Sequence, residues 1–179
     1  DWSSDVCSSD LWTGVTDVVM DPRDPDVLYA ATWDRHRTVA MYMGGGPASG
    51  IHKSTDGGET WTELTTGLPS SNIGKIGLAI SSQNPDIVYA AIELDRRSGG
   101  VYRSTNRGGS WTKMSDAVSG GTGPHYYQEL YASPHQFGRL YLVSNTTLVS
   151  DDHGATFRRM PQEKKHGDDH AIAFQKDDP

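Results

Sequence analysis

A chain of 179 residues with net charge −7, 35% hydrophobic residues and a mean hydropathy of −0.60 is long enough to bury a core and polar throughout. No apolar run approaches the ~18 residues a membrane helix needs, and an acidic balance without a basic stripe argues against nucleic acid as a partner. Twenty glycines and nine prolines, set among Val, Thr, Ser and Tyr, point to a β protein punctuated by turns.

The first eleven residues, DWSSDVCSSDL, carry no hydrophobic periodicity and match nothing later in the chain. They resemble, along their whole length, a translated reading frame of a common sequencing adapter, so residues 1–11 are set apart from the fold as non-native. A natural disordered tail is the alternative. On the adapter reading Cys7, the only cysteine, is not native, and the net charge without Asp1, Asp5 and Asp10 is about −4. The true N-terminus is then missing, and the lack of a signal peptide says nothing about compartment.

From residue 12 onward the chain repeats itself. One unit opens with GVTDVVMDPRDPDVLYAATW (Gly14 to Trp33), a second with GKIGLAISSQNPDIVYAAIE (Gly74 to Glu93) and a third with YYQELYASPHQFGRLYLVSN (Tyr126 to Asn145). Each opening is an apolar-rich strand, a Pro/Asp/Asn turn and a second strand rich in β-branched and aromatic residues. The alignment pairs Tyr29 with Tyr89 and Tyr141. A third strand follows (GIHKST, GVYRST, TTLVSD) and then a short fourth (WTEL, WTKM, FRRM). HAIAFQKDDP, from His170, opens another unit. Four antiparallel strands per repeat of about 50 residues predict an all-β propeller fragment: about three four-stranded blades plus the start of another. The predicted blades span roughly 12–66, 67–116 and 117–162, with the next starting over 163–179. Such a fragment expects the remaining blades as its partners.

Between the third and fourth strands of each unit sits an eight-residue motif: STDGGETW, STNRGGSW and SDDHGATF. The positions are Ser54, Asp56, Gly58 and Trp61; Ser104, Asn106, Gly108 and Trp111; Ser150, Asp152, Gly154 and Phe157. An Asp or Asn side chain there accepts hydrogen bonds from turn N–H groups. The glycine supplies positive φ, and the aromatic ring is expected to bury itself between neighbouring blades. The motif is therefore read as structural.

The motif resembles the Asp-box, or BNR repeat, of sialidase-type propellers. The text between the boxes, such as VVMDPRDPDVLYAATW, GIHKSTDGGETWTELTTGLP and SGGTGPHYYQEL, resembles the exported bacterial proteins grouped with the sortilin/VPS10 N-terminal domain. A more distant similarity is to xyloglucan-cleaving propeller enzymes. The first resemblance implies an extracytoplasmic binding scaffold for peptide or protein; the second implies a glycoside hydrolase acting on glycan.

Propellers bind at the channel or one rim, where the first strand of each blade is innermost. The alignment places Thr16, Ile76, Gln128 and His170 near the start of that strand, and Asp17, Gly77, Glu129 and Ala171 one position later. His125, Tyr126, Tyr127 and Gln128 form an aromatic and polar cluster suited to stacking on peptide or sugar, with packing of the tyrosines between blades as the alternative. Asp17 and Glu129 are the carboxylate pair a glycosidase reading would use. Arg35 and Arg37 open a long insert and can pair with a carboxylate ligand, or form a plain solvated loop. His166, Asp168 and His170 alternate onto one face of an extended chain, a layout that suits a metal ion, with a solvated turn or an inward polar cluster without metal as the alternatives. No cofactor is expected, and no arginine trio, phosphate loop or nucleophile elbow is present.

Overall fold

The computed structural model describes residues 12–95, 98–119, 127–161, 163 and 166–176. Three four-stranded antiparallel sheets follow one another, each built from one sequence unit. The first runs in the order β1 (Thr13–Asp21), β2 (Asp24–Asp34), β5 (Gly50–Ser54), β6 (Thr62–Leu64). The second is β7 (Ile73–Ile80), β8 (Val88–Leu94), β9 (Ser98–Ser104), β10 (Thr112–Ser115), and the third β11 (Leu130–Ala132), β12 (Leu140–Leu142), β13 (Leu148–Ser150), β14 (Arg158–Arg159). A small hairpin, β3 (His36–Arg37) with β4 (Tyr42–Met43), is inserted between β2 and β5. Among the described residues no helix is long and apolar enough to cross a membrane.

Strand pairing reproduces the repeat. Tyr29 faces Val19, Tyr89 faces Ala79 and Tyr141 faces Tyr131, so Asp17, Gly77 and Glu129 occupy one register. The core lies between sheets. Tyr29, Ile51, Ile76, Leu78, Ile92 and Trp111 fill the space between the first and second. Tyr89, Val101, Leu130, Leu140 and Leu142 fill that between the second and third. Burying each such side chain contributes roughly 1.5–3 kcal/mol.

The eight-residue motif closes each β-turn through its own side chains. In the first copy Ser54 Oγ donates to Asp56 Oδ1 at 2.7 Å and accepts the Gly58 N–H at 2.8 Å; Thr60 donates its N–H to Oδ1 at 2.9 Å and its hydroxyl to Oδ2 at 2.6 Å. The Thr60 hydroxyl bond, reinforced by the Thr60 N–H, holds the Asp56 carboxyl down to about 2, and Thr156 does the same for Asp152. These aspartates are acceptors rather than proton donors near neutral pH. Asn106 repeats the pattern without charge, its Oδ1 accepting the Ser110 N–H at 2.9 Å. The aromatic position varies in burial: Trp111 is buried between sheets, while Trp61 and Phe157 are only half-buried.

The tyrosines latch consecutive sheets. Tyr29 OH donates to the Arg107 carbonyl at 3.0 Å, and Tyr89 OH bonds His153 Nδ1 at 2.7 Å. Arg107 and His153 hold the same position in their motifs, both in left-handed backbone with φ of 57° and 62°. Burial pushes the Tyr89 hydroxyl up to about 12, so it stays protonated in its bond with the imidazole. Burial, with the nearby Arg103 charge, lowers the His153 pKa from 6.5 against a smaller opposing pull from Asp152. The unfolded chain therefore takes up this proton at higher pH than the folded one, and stability falls as pH drops below 6.5 until the folded value is passed. Thermal unfolding between pH 7.5 and pH 5 is expected to show this decline, and His153→Asn, which tolerates positive φ, to remove its share of it. An unchanged pH slope in that variant would contradict the latch.

Candidate functional site

The three innermost strands converge on a cleft of about 390 Å³ lined by β1, β7 and β11, including Asp17, Lys75, Gly77, Gln128, Glu129 and Tyr131. All three are irregular at the same level. β1 is bulged between Val15 and Asp17, and β7 between Ile73 and Ile76. Gln128, just ahead of β11, has φ of 98°. Bulges re-aim side chains at such edges, and here they bring one polar group per strand to the mouth of the cleft.

Asp17 Oδ2 accepts the Leu78 N–H at 2.8 Å, tying the first inner strand to the second. Lys75 Nζ donates to Glu129 Oε1 at 2.8 Å, tying the second to the third. Glu129 Oε2 is buried without a hydrogen-bond partner among the described residues. Burial pushes the Asp17 carboxyl above its usual value; the Leu78 and Val18 N–H groups oppose this, as does Lys75, while Glu129 adds to it. Lys75 was invisible as a site residue in sequence, because a lysine opening a strand reads as solvated. Its only signal was its place immediately before the Ile76 register. Tyr131, also unmarked in sequence, lines the cleft, and burial raises its hydroxyl pKa against a contact from the Ile172 backbone.

The other sequence candidates are placed differently. His125 and Tyr126 lie outside the described residues. Tyr127 is only 3% exposed. Its ring stacks on His170 with centroids 5.1 Å apart and its hydroxyl is bonded to Asp168, so it packs inward instead of presenting a face to ligand. Gln128 is fully buried, with Oε1 accepting the Ser119 N–H at 3.1 Å. Arg35 and Arg37 stand exposed on the inserted hairpin, away from the cleft-lining residues.

The metal layout of His166, Asp168 and His170 is not assembled. Among the described residues no group of three or more His, Cys, Asp or Glu side chains is placed to hold a metal ion. Asp168 turns through φ of 81° and accepts from Tyr127 and from Asn145 Nδ2, the latter at 2.7 Å. His170 is engaged with Tyr127, and His166 Nδ1 contacts the Gly167 carbonyl at 2.7 Å. The alternation expected of an extended strand fails because this segment is pinned to the third sheet by Asp168 and Asp169 N–H bonds to Asn145 and Ser144.

Comparison with known proteins agrees with this architecture. Residues 52–63, the first motif, match the family described as BNR/Asp-box repeat. The chain is similar to a xyloglucanase of Hypocrea jecorina (strain QM6a), 30% identical over 139 residues, covering 64% of this chain and 15% of that protein. It is 32% identical over 116 residues to xyloglucanase Xgh74A of Acetivibrio thermocellus, covering 61% and 13%. The chain thus spans only a small part of the curated relatives it matches. Among solved structures, the GH74 enzyme of Niastella koreensis superposes with TM-score 0.60 at 22% identity, covering 86% of this chain and 23% of that one. YCF48 bound to D1 peptide superposes with TM-score 0.58 at 16% identity, covering 87% and 43%. The chain has the fold of part of a β-propeller and carries BNR/Asp-box repeats.

Proposed function

We propose that this chain is part of a non-catalytic binding propeller that holds a peptide or protein ligand at the cleft between its innermost strands. The observation that carries this reading is that each candidate acid has one oxygen held by the framework: Asp17 Oδ2 by the Leu78 N–H and Glu129 Oε1 by Lys75. A glycosidase needs one carboxyl free to deliver a proton and another free to attack or to activate water. The structural neighbour solved with a D1 peptide supports the use of this fold for peptide. The sortilin/VPS10-like text between the motifs supports the same ligand class and an exported protein.

A second reading is a glycoside hydrolase. It is favoured by the likeness to xyloglucanases and by the raised pKa of Asp17, the property a general acid requires. The two part in the full-length protein, recovered from the periplasmic or culture fraction as export implies. The binding reading expects no turnover across a panel of plant and bacterial glycans, and retention of peptides from a random library that Lys75→Met weakens about tenfold, the loss of one buried charge-assisted contact. Glycan hydrolysis that disappears in Asp17→Asn would instead establish the enzyme.

A further inference from the structure

The inserted hairpin belongs to neither the cleft nor the sheets. It is built rigidly. His36 pairs with Met43 and Arg37 with Tyr42. Its tip is closed by the Thr38 N–H to the Met41 carbonyl at 2.8 Å and by Thr38 Oγ1, which accepts from the Ala40 and Met41 N–H groups at 3.2 and 3.0 Å. The His36 ring stacks on Trp12 at 4.0 Å, and Trp33 Nε1 holds the returning arm through the Gly44 carbonyl at 2.9 Å. The Arg35 guanidinium lies over the Trp33 ring, 5.4 Å from its centroid.

This frame presents an unusual surface. Val39 is fully exposed and Met41 is 47% exposed at the tip. From Arg35 to Lys53 the sequence contains no acidic residue, although the chain carries a net charge of −7. Arg35 and Arg37 are exposed, and neither joins an ion pair among the described residues. Single exposed apolar residues are ordinary; here two stand at the tip of a pinned hairpin, beside arginines that join no ion pair among the described residues.

We propose that this hairpin docks an acidic segment of a partner protein, with Val39 and Met41 entering an apolar recess and Arg35 and Arg37 pairing with carboxylates beside it. Planar guanidinium groups suit two-point contact with carboxylates. Two arginines fall short of the roughly 4–8 basic residues that recognise an anionic membrane surface and of the roughly 6–10 phosphate contacts of a nucleic-acid site. The contact is independent of any ligand in the inner cleft.

The test uses full-length protein and a fluorescently labelled peptide of alternating glutamate and leucine, with a glutamine–leucine peptide as the control. Binding of the glutamate peptide is expected to weaken about tenfold in the double variant Arg35→Glu/Arg37→Glu, and similarly in Val39→Asp, through loss of paired charge and of the apolar anchor. It is also expected to weaken as salt rises and the Debye length shrinks from about 10 Å toward about 3 Å. Val39→Asp should not move the unfolding midpoint, because that side chain is exposed, and the double variant should move it only slightly, through loss of the Arg35–Trp33 contact. Absence of binding, equal binding of the glutamine peptide, or full binding by both variants would overturn the proposal. So would hairpin-dependent capture of phosphatidylserine vesicles by a protein that ignores the peptide.

Discussion

Gly77→Ala is expected to destabilise the protein by about 3 kcal/mol, far beyond the usual effect of adding one methyl group to a strand. An ideal Cβ on Gly77 would lie 1.7 Å from the Gln128 carbonyl oxygen, 2.8 Å from its carbon and 3.1 Å from the Leu130 nitrogen. These are backbone atoms, so no rotamer change relieves the clash; the second and third sheets would have to separate at their inner edge. Gln128 is poorly able to yield, being fully buried, held at φ of 98° and bonded through its side chain to Ser119. Gly77 itself has no left-handed backbone, so the penalty would come from contact rather than from conformation. Gly14→Ala, with nothing within 4 Å of its Cβ, is the matched control and should change stability by under about 0.5 kcal/mol. Equilibrium urea unfolding of the two variants decides the matter: equal midpoints would mean the sheets do not approach as closely as described. The same displacement would move Glu129 away from Lys75, so ligand binding at the cleft should fall together with stability.

Gly77 also shows what a sequence can and cannot reveal here. Its register beside Asp17 and Glu129 followed from aligning the tyrosines, and the strand pairing agrees with it. That alignment works because each unit repeats the same local chemistry. The serine, the Asp or Asn and the glycine of every motif bond within four residues of one another, so short-range sequence suffices to place them. Contacts between units leave no such trace. Nothing in the spelling of GKIGLAI shows that a carbonyl from the third unit presses on its glycine, or that Lys75 reaches Glu129. The left-handed backbone of Arg107 and His153 is equally silent, because only the first copy has glycine, Gly57, at that position.

The site candidates that turn inward have the same origin. In sequence, Tyr127 and the His166–His170 segment stand apart as two polar clusters, each with inward packing as the alternative to a ligand or metal role. In the fold Asp168 and His170 close over Tyr127, and Asn145 bridges the two, so both clusters satisfy each other. A polar motif is available to a ligand only if the fold has not already used it, and that depends on partners distant in sequence. The insert was legible as a long loop, but its hairpin was not, because its strands are two residues each, too short to register as alternation.

Trp111 carries the second large effect. It is 5% exposed, packed with Tyr29, Ile76 and Tyr102 between the first and second sheets, and its backbone N–H donates to the Thr66 carbonyl at 2.9 Å. The chain beside it has no slack, since a Cβ on Gly67 would lie 2.0 Å from the Trp111 carbonyl oxygen. Trp111→Ala should therefore leave a cavity that cannot collapse and lower stability by roughly 3–5 kcal/mol. Trp111→Phe is expected to behave differently. Trp61 donates its indole N–H to the Gly58 carbonyl at 3.0 Å, but the buried indole N–H of Trp111 has no hydrogen-bond partner among the described residues. Leaving such a donor unpaired costs roughly 1–3 kcal/mol, and phenylalanine removes that cost while losing part of the ring area. The two effects nearly cancel, so the phenylalanine variant should unfold within about 1 kcal/mol of the parent. Phe157 already fills the corresponding place in the third motif and packs against the core between the second and third sheets. Urea unfolding of both variants separates the contributions: a phenylalanine variant as unstable as the alanine one would mean that the indole N–H is satisfied in solution and that the ring's full width is required between the sheets.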